Sequence, residues 1–293
     1  MCQRLKRAKQ TVYNVINTFK EGLTAIDFYQ RYKRNKSRCG RKKISLPKDQ
    51  TSYIQHKINE GWSPHAILGR KEKRVNCSVK TLYRMFHRGT FPVKKLAMKG
   101  KRKPNHHKER RGRHRLLRNI STREDEFEHF DKEFSHFESD TIVGRHHQSV
   151  IMTLVERQTK FAITLKPQGR TARDSQQSLD EMLEACPRNL IKSITFDCGK
   201  EFSNWKAISN KHDVSIFFAD PGTPSQRDLN EHTNGLLRHH GLHKEMDFNQ
   251  INDEEMIKIT HKLNHIPRKS LNYLTPEEKF LSLIEDQKLS SLI

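Results

Sequence analysis

The apolar positions of this chain follow a helical period in the first part and an alternating period in the second. Apolar residues recur at helical spacing in Thr11–Glu21, which predicts one amphipathic helix that ends before Gly22. Short runs typical of strands begin at Phe134 and cover Phe134–Val143, Ser149–Glu156 and Lys160–Lys166. The pattern therefore predicts helices first and an antiparallel meander of three strands later.

A three-helix pattern lies between Pro47 and Gly89. Its first helix covers about Asp49–Glu60, Ser63 and Pro64 begin the second helix, and Ser78 begins the third helix, which runs through Phe86. This outline of helix, short turn and helix is typical of a helix-turn-helix module.

The third of these helices has an apolar side and a basic side. Val79, Leu82 and Phe86 share the apolar side, and the basic side carries Lys80, Arg84 and Arg88 at intervals of four residues. A recognition helix in a DNA major groove has this character, so we expect these three cations to contact DNA. A small helical domain with a solvated charged face shows the same pattern.

After the meander, helices and strands alternate. The predicted elements are a helix over Thr171–Cys186, a strand over Ser193–Phe196, a helix over Phe202–Lys211, a strand over Val214–Ala219 and a helix over Gln226–His240. This order predicts a mixed α/β fold in which parallel strands extend the meander through helical crossovers.

The net charge of +22 is distributed very unevenly. The first 120 residues contain 34 basic and 6 acidic residues, and the remainder contains 22 basic and 28 acidic residues. Two basic runs, Arg31–Lys43 and Lys94–Arg118, flank the three-helix pattern and are expected to be flexible until they bind phosphates. We therefore expect double-stranded DNA as the partner.

Other classes of protein fit the composition poorly. No window approaches the length of apolar sequence that crosses a bilayer, and no signal peptide is evident. We therefore expect no membrane partner. We expect a cytoplasmic protein that is associated with the nucleoid when it is bound to DNA. The five cysteines are far apart and are expected to be reduced. His146, His147, His239, His240 and His243 lack the spacing and partner ligands of a zinc signature, and no zinc site is expected there.

Three carboxylates occupy positions where catalysis is plausible. Asp140 lies inside the first predicted strand, Asp197 directly follows the fourth strand, and Glu231 lies in the last predicted helix. Open α/β sheets bind ligands at the carboxyl ends of their strands, and three carboxylates can share two Mg²⁺ ions for an in-line displacement at phosphate. Position alone leaves alternatives open, because further acids lie near strand ends, namely Glu138, Glu156, Glu201 and Asp220.

Several motifs around these acids resemble a known family. ESDTIVG, LVERQTKF, ITFDCGKEF, FADPGTPSQRDLNEHTNGLLR and LNHIPRKSLNYLTPEE are similar, in this order, to the catalytic region of the IS-thirty family of bacterial insertion-sequence transposases. CGRKKISLP, GWSPHAILGR and TLYRMF extend the resemblance into the helical module. The resemblance covers most of Phe134–Phe280.

This resemblance implies a ribonuclease-H-like integrase core with a DDE triad at Asp140, Asp197 and Glu231, which would be both catalytic residues and metal ligands. The 33 residues between Asp197 and Glu231 are the separation expected of the family. It further implies Mg²⁺ or Mn²⁺, two ions, terminal inverted repeats and target DNA as substrates, and a homo-oligomer that brings two DNA ends together. Asn230, Asn234 and Arg238 would support Glu231 or contact DNA, and phosphate contacts would come from Arg268 and Lys269.

The resulting division of the chain has four parts. Residues 1–46 are expected to hold a partial helix-turn-helix and a basic linker, residues 47–92 a second helix-turn-helix, residues 93–127 a basic linker, and residues 128–285 the catalytic domain.

The sequence departs from the family at Cys198, Ser225, Asp228 and Ile266, none of which is an expected metal ligand. Relatives also begin with a complete helix-turn-helix, so this chain is expected to be an N-terminally shortened copy. An impaired remnant that only binds DNA is the alternative hypothesis, and a structure-specific ribonuclease is a third.

Overall fold

The computed structural model describes residues 2–40, 44–96, 118–221 and 223–290. The chain divides into two compact units, Met1–Ser45 and Leu46–Ile293. Most of the basic run Lys94–Arg118 lies outside the described residues, as do residues 41–43. In the described part of the chain, no helix is long and apolar enough to span a membrane, and the five cysteines form no disulfide bonds.

The first unit contains the short helix α1 (Cys2–Leu5) and two longer helices, α2 (Lys9–Lys20) and α3 (Ala25–Arg38). Helix α2 confirms the predicted amphipathic helix, and α3 corrects the expectation that the run from Arg31 onwards is flexible. The physical reason is a capping box, in which Asp27 accepts a hydrogen bond from the Thr24 backbone N–H at 2.9 Å and Thr24 caps the Asp27 N–H. Lys and Arg also favour helices.

The second unit begins with three helices, α4 (Lys48–Asn59), α5 (Pro64–Gly69) and α6 (Val79–His87), which confirm the predicted pattern. Ser63 and Ser78 cap α5 and α6, since their side chains accept hydrogen bonds from backbone N–H groups one turn further on. Leu82 and Phe86 on the apolar side of α6 are fully buried.

The second unit also contains one five-stranded mixed sheet. Its strands are β1 (His136–Val143), β2 (Val150–Glu156), β3 (Ala162–Leu165), β4 (Ser193–Phe196) and β5 (Ser215–Phe218). The strand order is β3-β2-β1-β4-β5. The pairs β3–β2 and β2–β1 are antiparallel, and the pairs β1–β4 and β4–β5 are parallel. An antiparallel meander extended by two parallel strands is the ribonuclease-H-like, integrase-core arrangement, and the predicted fold class is confirmed.

Helices cover both faces of this sheet. They are α7 (Arg123–Glu126), α8 (Ala172–Ala185), α9 (Trp205–His212), α10 (Asp228–His240), α11 (Asp253–Asn264) and α12 (Pro276–Ser290). One hydrophobic core holds α8, α9 and Phe280 of α12 against one face, and a second core holds α10 and α11 against the other face.

The second core continues into α4, α5 and α6, so the three-helix segment packs directly on the sheet domain. Its contacts include an ion pair between Arg70 and Glu278 and a hydrogen bond from Arg70 Nη1 to the Tyr273 carbonyl at 3.0 Å. At two glycines the backbone lies directly against a ring. A Cβ on Gly61 would collide with the ring of His240, and a Cβ on Gly69 would collide with the ring of Tyr273. The predicted domain limits inside Leu46–Ile293 stay predictions.

Candidate active site

Asp140 lies in the middle of β1 on the face that packs against α10. Side chains alternate along a strand, so Glu138, Asp140 and Ile142 share this face. The two carboxylate oxygens of Asp140 accept hydrogen bonds from the Thr141 backbone N–H at 2.8 Å and from Asn234 Nδ2 at 3.1 Å. Both partners fix the orientation of this carboxylate.

Asp197 directly follows β4, the parallel neighbour of β1. The register pairs Glu138 with Thr195, and the same register continued by two residues sets Asp140 beside Asp197. The Gly199 backbone N–H donates to Asp197 Oδ1 at 3.0 Å. An added Cβ at Gly199 would lie 2.8 Å from that oxygen, so a side chain is poorly accommodated at this turn. The parallel pairing of β1 with β4 therefore brings these two acids together.

Arg227 links these two acids. Its Nη1 lies 3.5 Å from Asp140 Oδ1, and its Nη2 lies 4.0 Å from Asp197 Oδ2. Its side chain is only 13% exposed, and Nη1 is a buried nitrogen that makes no hydrogen bond within the described residues. The two carboxylates therefore converge on one guanidinium at long ion-pair distances.

Glu231 belongs to the first turn of α10 and is exposed. Its charge acts on Asp140, whose pKa rises to about 6. Burial is the main cause of this rise, the nearby charges of Asp197 and Glu231 add to it, and Arg227 opposes it. All three predicted acids thus contribute to one electrostatic environment.

A polar network docks α10 on the sheet. Asn230 Nδ2 donates to the Glu138 carbonyl at 2.9 Å, and the Asn230 backbone N–H donates to Glu138 Oε2 at 3.1 Å. The Thr153 hydroxyl lies 2.8 Å from Asn234 Oδ1. Asn230, Thr153 and Asn234 are buried, so these hydrogen bonds fix the helix that carries Glu231 against the strand that carries Asp140.

Glu138 extends this network away from the three acids. It is 3% exposed, its pKa is raised mainly by burial, and it pairs with Arg157 at 3.0 Å. Thr141 donates to Glu201 at 3.2 Å, which brings a further carboxylate close to Asp140.

The other residues predicted to contact DNA have different environments. Lys80 and Arg84 on α6, Arg88 at its C-terminal end and Lys269 are exposed. Asn234 is 8% exposed and bonds to protein partners. Arg238 is partly buried, and its Nη2 donates to the Val143 carbonyl at 3.4 Å.

Arg268 is also largely enclosed. Burial lowers its pKa to about 10, and its Nε is a buried nitrogen that makes no hydrogen bond in the described part of the chain. Among the residues predicted to contact DNA, Asn234 and Arg238 thus lie close to the acids. The cations of α6 are exposed on a separate helix.

Sequence reasoning missed Arg227, although this residue stands in the motif SQRDLNE. Its signal was weak, because an Arg before a helix ordinarily faces solvent.

The departures from the family pattern leave the acids intact. The Cys198 thiol donates to the Ala219 carbonyl at 3.2 Å, Asp228 is exposed at the start of α10, and Ile266 is buried in the core.

No protein-family model matches the chain. The transposase for insertion sequence element IS4351 of Bacteroides fragilis is 31% identical over 96% of this chain and 89% of its own length. The transposase InsI for insertion sequence element IS30C of Escherichia coli (strain K12) is 28% identical over 77% of this chain and 62% of its own length.

The crystal structure of the catalytic core domain of BIV integrase is similar over 53% of this chain and 98% of its own chain, with a TM-score of 0.43 and 12% identity. The fold assignment rests on the strand order and directions given above. By its sequence similarity, the chain belongs to the IS-thirty family of insertion-sequence transposases, the polynucleotidyl transferases of DNA transposition.

Proposed function

We propose that this transposase binds the terminal inverted repeats of an insertion sequence, cleaves DNA at the ends of the element in a metal-dependent reaction and joins the ends to target DNA. The observation that carries the proposal is the convergence of Asp140 and Asp197 on Arg227, with Glu231 close enough for its charge to raise the pKa of Asp140. Two partly buried carboxylates, Asp140 and Asp197, with a third acid nearby are costly without a function.

The donor set fits divalent cations. Carboxylate oxygens are hard ligands, and Asp140, Asp197 and Glu231 together would hold Mg²⁺ or Mn²⁺, in our proposal two ions. Divalent ions held by these residues would supply an activated water or 3′-hydroxyl and a countercharge for the leaving oxygen. Burial is the main cause of the raised pKa of Asp140, and the charges of Asp197 and Glu231 add to it, so a cation bound here would offset both the burial of charge and the repulsion between the acids.

The residues around the acids have positioning roles in this proposal. Asn234 orients the Asp140 carboxylate through its Nδ2 donor, and Asn230 anchors α10 through Glu138. The burial of Asn234 favours this role over the DNA contact expected from the sequence. Arg227 and Arg238 would meet the scissile phosphate, because each is a cation held near Asp140.

DNA outside the reacting phosphate would be held elsewhere. We assign the exposed cations Lys80, Arg84 and Arg88 of the α6 region to inverted-repeat DNA. Lys269, which is exposed, would contact phosphate from the sheet domain, and Arg268 beside it, which is partly exposed, would do the same. Two ends must be held together for transposition, so we further propose a homo-oligomer in the synaptic complex.

The test is cleavage of duplexes that carry the ends of the element, in Mg²⁺, by the wild type and by Glu231→Gln. The expected result is loss of cleavage by Glu231→Gln with DNA binding largely intact. The matched control is Glu254→Gln, an exposed acid on α11, which should cleave like the wild type. Equal cleavage by Glu231→Gln would overturn the site assignment, and absence of cleavage by the wild type with retained DNA binding would favour the impaired remnant.

A further inference from the structure

A second group of potential metal ligands lies where α11 meets α12. His261 belongs to the last turn of α11, His265 directly follows this helix, and Glu277 belongs to the first turn of α12. One ligand atom from each of the three residues lies within 4.8 Å of the other two. We propose that these residues form a structural site for a divalent transition metal such as Zn²⁺, separate from the three catalytic acids.

The spacing of the histidines suits this role. Residues four apart lie on one face of a helix, and pairs of histidines at this spacing are common zinc ligands. Their rings are already close, with centroids 3.9 Å apart and planes inclined by 31°. Ligand atoms around a tetrahedral Zn²⁺ are roughly 3.3 Å apart, so shifts of about 1.5 Å or less, some closing and some opening a pair, would bring the three atoms to this spacing.

The hydrogen bonds of His265 favour a cation on its other nitrogen. Its Nδ1 lies 2.8 Å from the His261 backbone carbonyl, which requires Nδ1 to carry a proton and leaves Nε2 with a lone pair in the neutral ring. Metal-binding histidines are typically oriented by such a bond to a carbonyl. Nε2 lies 2.7 Å from Glu277 Oε2, and a lone pair facing a carboxylate is unfavourable unless Nε2 is also protonated or both atoms bind one metal ion.

The carboxylate belongs to the same argument. Glu277 Oε2 is a buried oxygen, and when the neutral His265 ring carries its proton on Nδ1, no hydrogen-bond donor among the described residues reaches it. A buried carboxylate oxygen without a donor is costly, and metal ligation would satisfy it. The two imidazole nitrogens and one carboxylate oxygen favour Zn²⁺ and similar metals over Mg²⁺, which prefers oxygen ligands alone.

Such a metal would stabilise the contact between the sheet domain and the three-helix segment. The residue after Glu277 is Glu278, which pairs with Arg70 of the helical segment and also accepts from the Thr275 backbone N–H at 2.8 Å. His265 and Glu278 both line a cavity of about 560 Å³ between α4 and the end of α11. Fixing the first turn of α12 would therefore hold the Arg70 contact in place.

The test uses the full chain with Asp140→Asn, Asp197→Asn and Glu231→Gln, so that the three catalytic acids do not contribute to metal binding. Titration with ZnCl₂ in a calorimeter should show one bound equivalent, and Zn²⁺ should raise the melting temperature. His261→Gln, His265→Gln and Glu277→Gln should each weaken binding by about ten-fold or more. The control His87→Gln removes an exposed histidine in the last turn of α6, and it should bind like its parent.

Two results would overturn the proposal. One is no Zn²⁺ binding by the parent protein, which would leave a His265–Glu277 ion pair only. The other is binding that the three substitutions do not weaken, which would locate the ion elsewhere. Melting curves without metal check that the variants fold, and Glu277→Gln preserves side-chain shape, so at least one variant gives a valid comparison. Neither result bears on end cleavage, which depends on the other site.

Discussion

Arg227 holds its guanidinium 3.5 Å from Asp140 and 4.0 Å from Asp197, between the two acids that we propose as metal ligands. The distances are long for ion pairs, and one of its buried nitrogens makes no hydrogen bond in the described part of the chain. The guanidinium therefore neutralises part of the acidic cluster without being tightly bound to it. In our account it remains free to move toward a phosphate when the acids bind metal.

Replacing Arg227 should make metal binding stronger. Arg227→Gln removes a positive charge beside two carboxylates, so the affinity for Mn²⁺ should rise by about three-fold to ten-fold at low salt. Calorimetric titration measures this directly. Arg188→Gln, which removes an exposed Arg in the turn after α8, is the control for net charge and should leave the affinity unchanged. The same affinity in Arg227→Gln and the wild type would show that Arg227 does not compete with the metal.

Asp140→Asn should stabilise the metal-free protein at neutral pH. Asp140 has its pKa raised from 3.8 to about 6, so its contribution to stability is fully present below about pH 3.8 and is lost as the pH rises through 6. At pH 7.5 the amide avoids this loss and should raise the free energy of unfolding by about 1 to 3 kcal/mol. Urea unfolding at pH 7.5 and 4.5 measures the gain, which should shrink at the lower pH. A variant less stable than the wild type at pH 7.5 would contradict this assignment.

The same pKa predicts how metal binding depends on pH. Only the ionised carboxylate binds a divalent ion, and in the metal-free protein Asp140 takes up its proton near pH 6. The affinity for Mn²⁺ should be nearly constant above about pH 7 and fall by up to about ten-fold per pH unit below 6. Titrations at pH 7.5, 6.5 and 5.5 check this. A constant affinity down to pH 5.5 is incompatible with Asp140 as a ligand.

Gly69 provides a test of the contact between α5 and the sheet domain. A Cβ at this position would lie 2.1 Å from Cε1 of Tyr273, so Gly69→Ala should destabilise the protein by about 1 to 3 kcal/mol. Thermal unfolding measures the loss. In the Tyr273→Ala background, adding Gly69→Ala should cost less stability than it costs in the wild type, because the ring that causes the clash is already absent. Strictly additive effects would mean that the two residues do not meet.

The sequence was sufficient for the parts of the site that depend on local pattern. Alternating apolar positions predicted β1 and β4, and their adjacency follows from the fold order, so Asp140 and Asp197 could be paired before any coordinates. The role of Arg227 could not be predicted in this way, because it depends on how the turn before α10 directs one long side chain back to the sheet. The packing of Gly69 on Tyr273 joins residues about two hundred positions apart, and no local period records it.

In one segment, the prediction of flexibility from dense positive charge was wrong. The run from Arg31 was expected to be flexible because it is dense in positive charge, yet α3 continues through Arg38. The Thr24 capping box fixes the first turn, and the long basic side chains of this helix are exposed, where their mutual repulsion is weakened by solvent.

The central claim is that Asp140, Asp197 and Glu231 form one metal-dependent centre for DNA cleavage and strand transfer. Its most direct test is the reaction on duplexes with the element's own termini, in Mg²⁺, by the wild type beside Asp197→Asn. We predict that the wild type cleaves the ends and joins them to target DNA, and that Asp197→Asn binds the same DNA but does neither. Cleavage and joining by Asp197→Asn at the wild-type rate would contradict the claim.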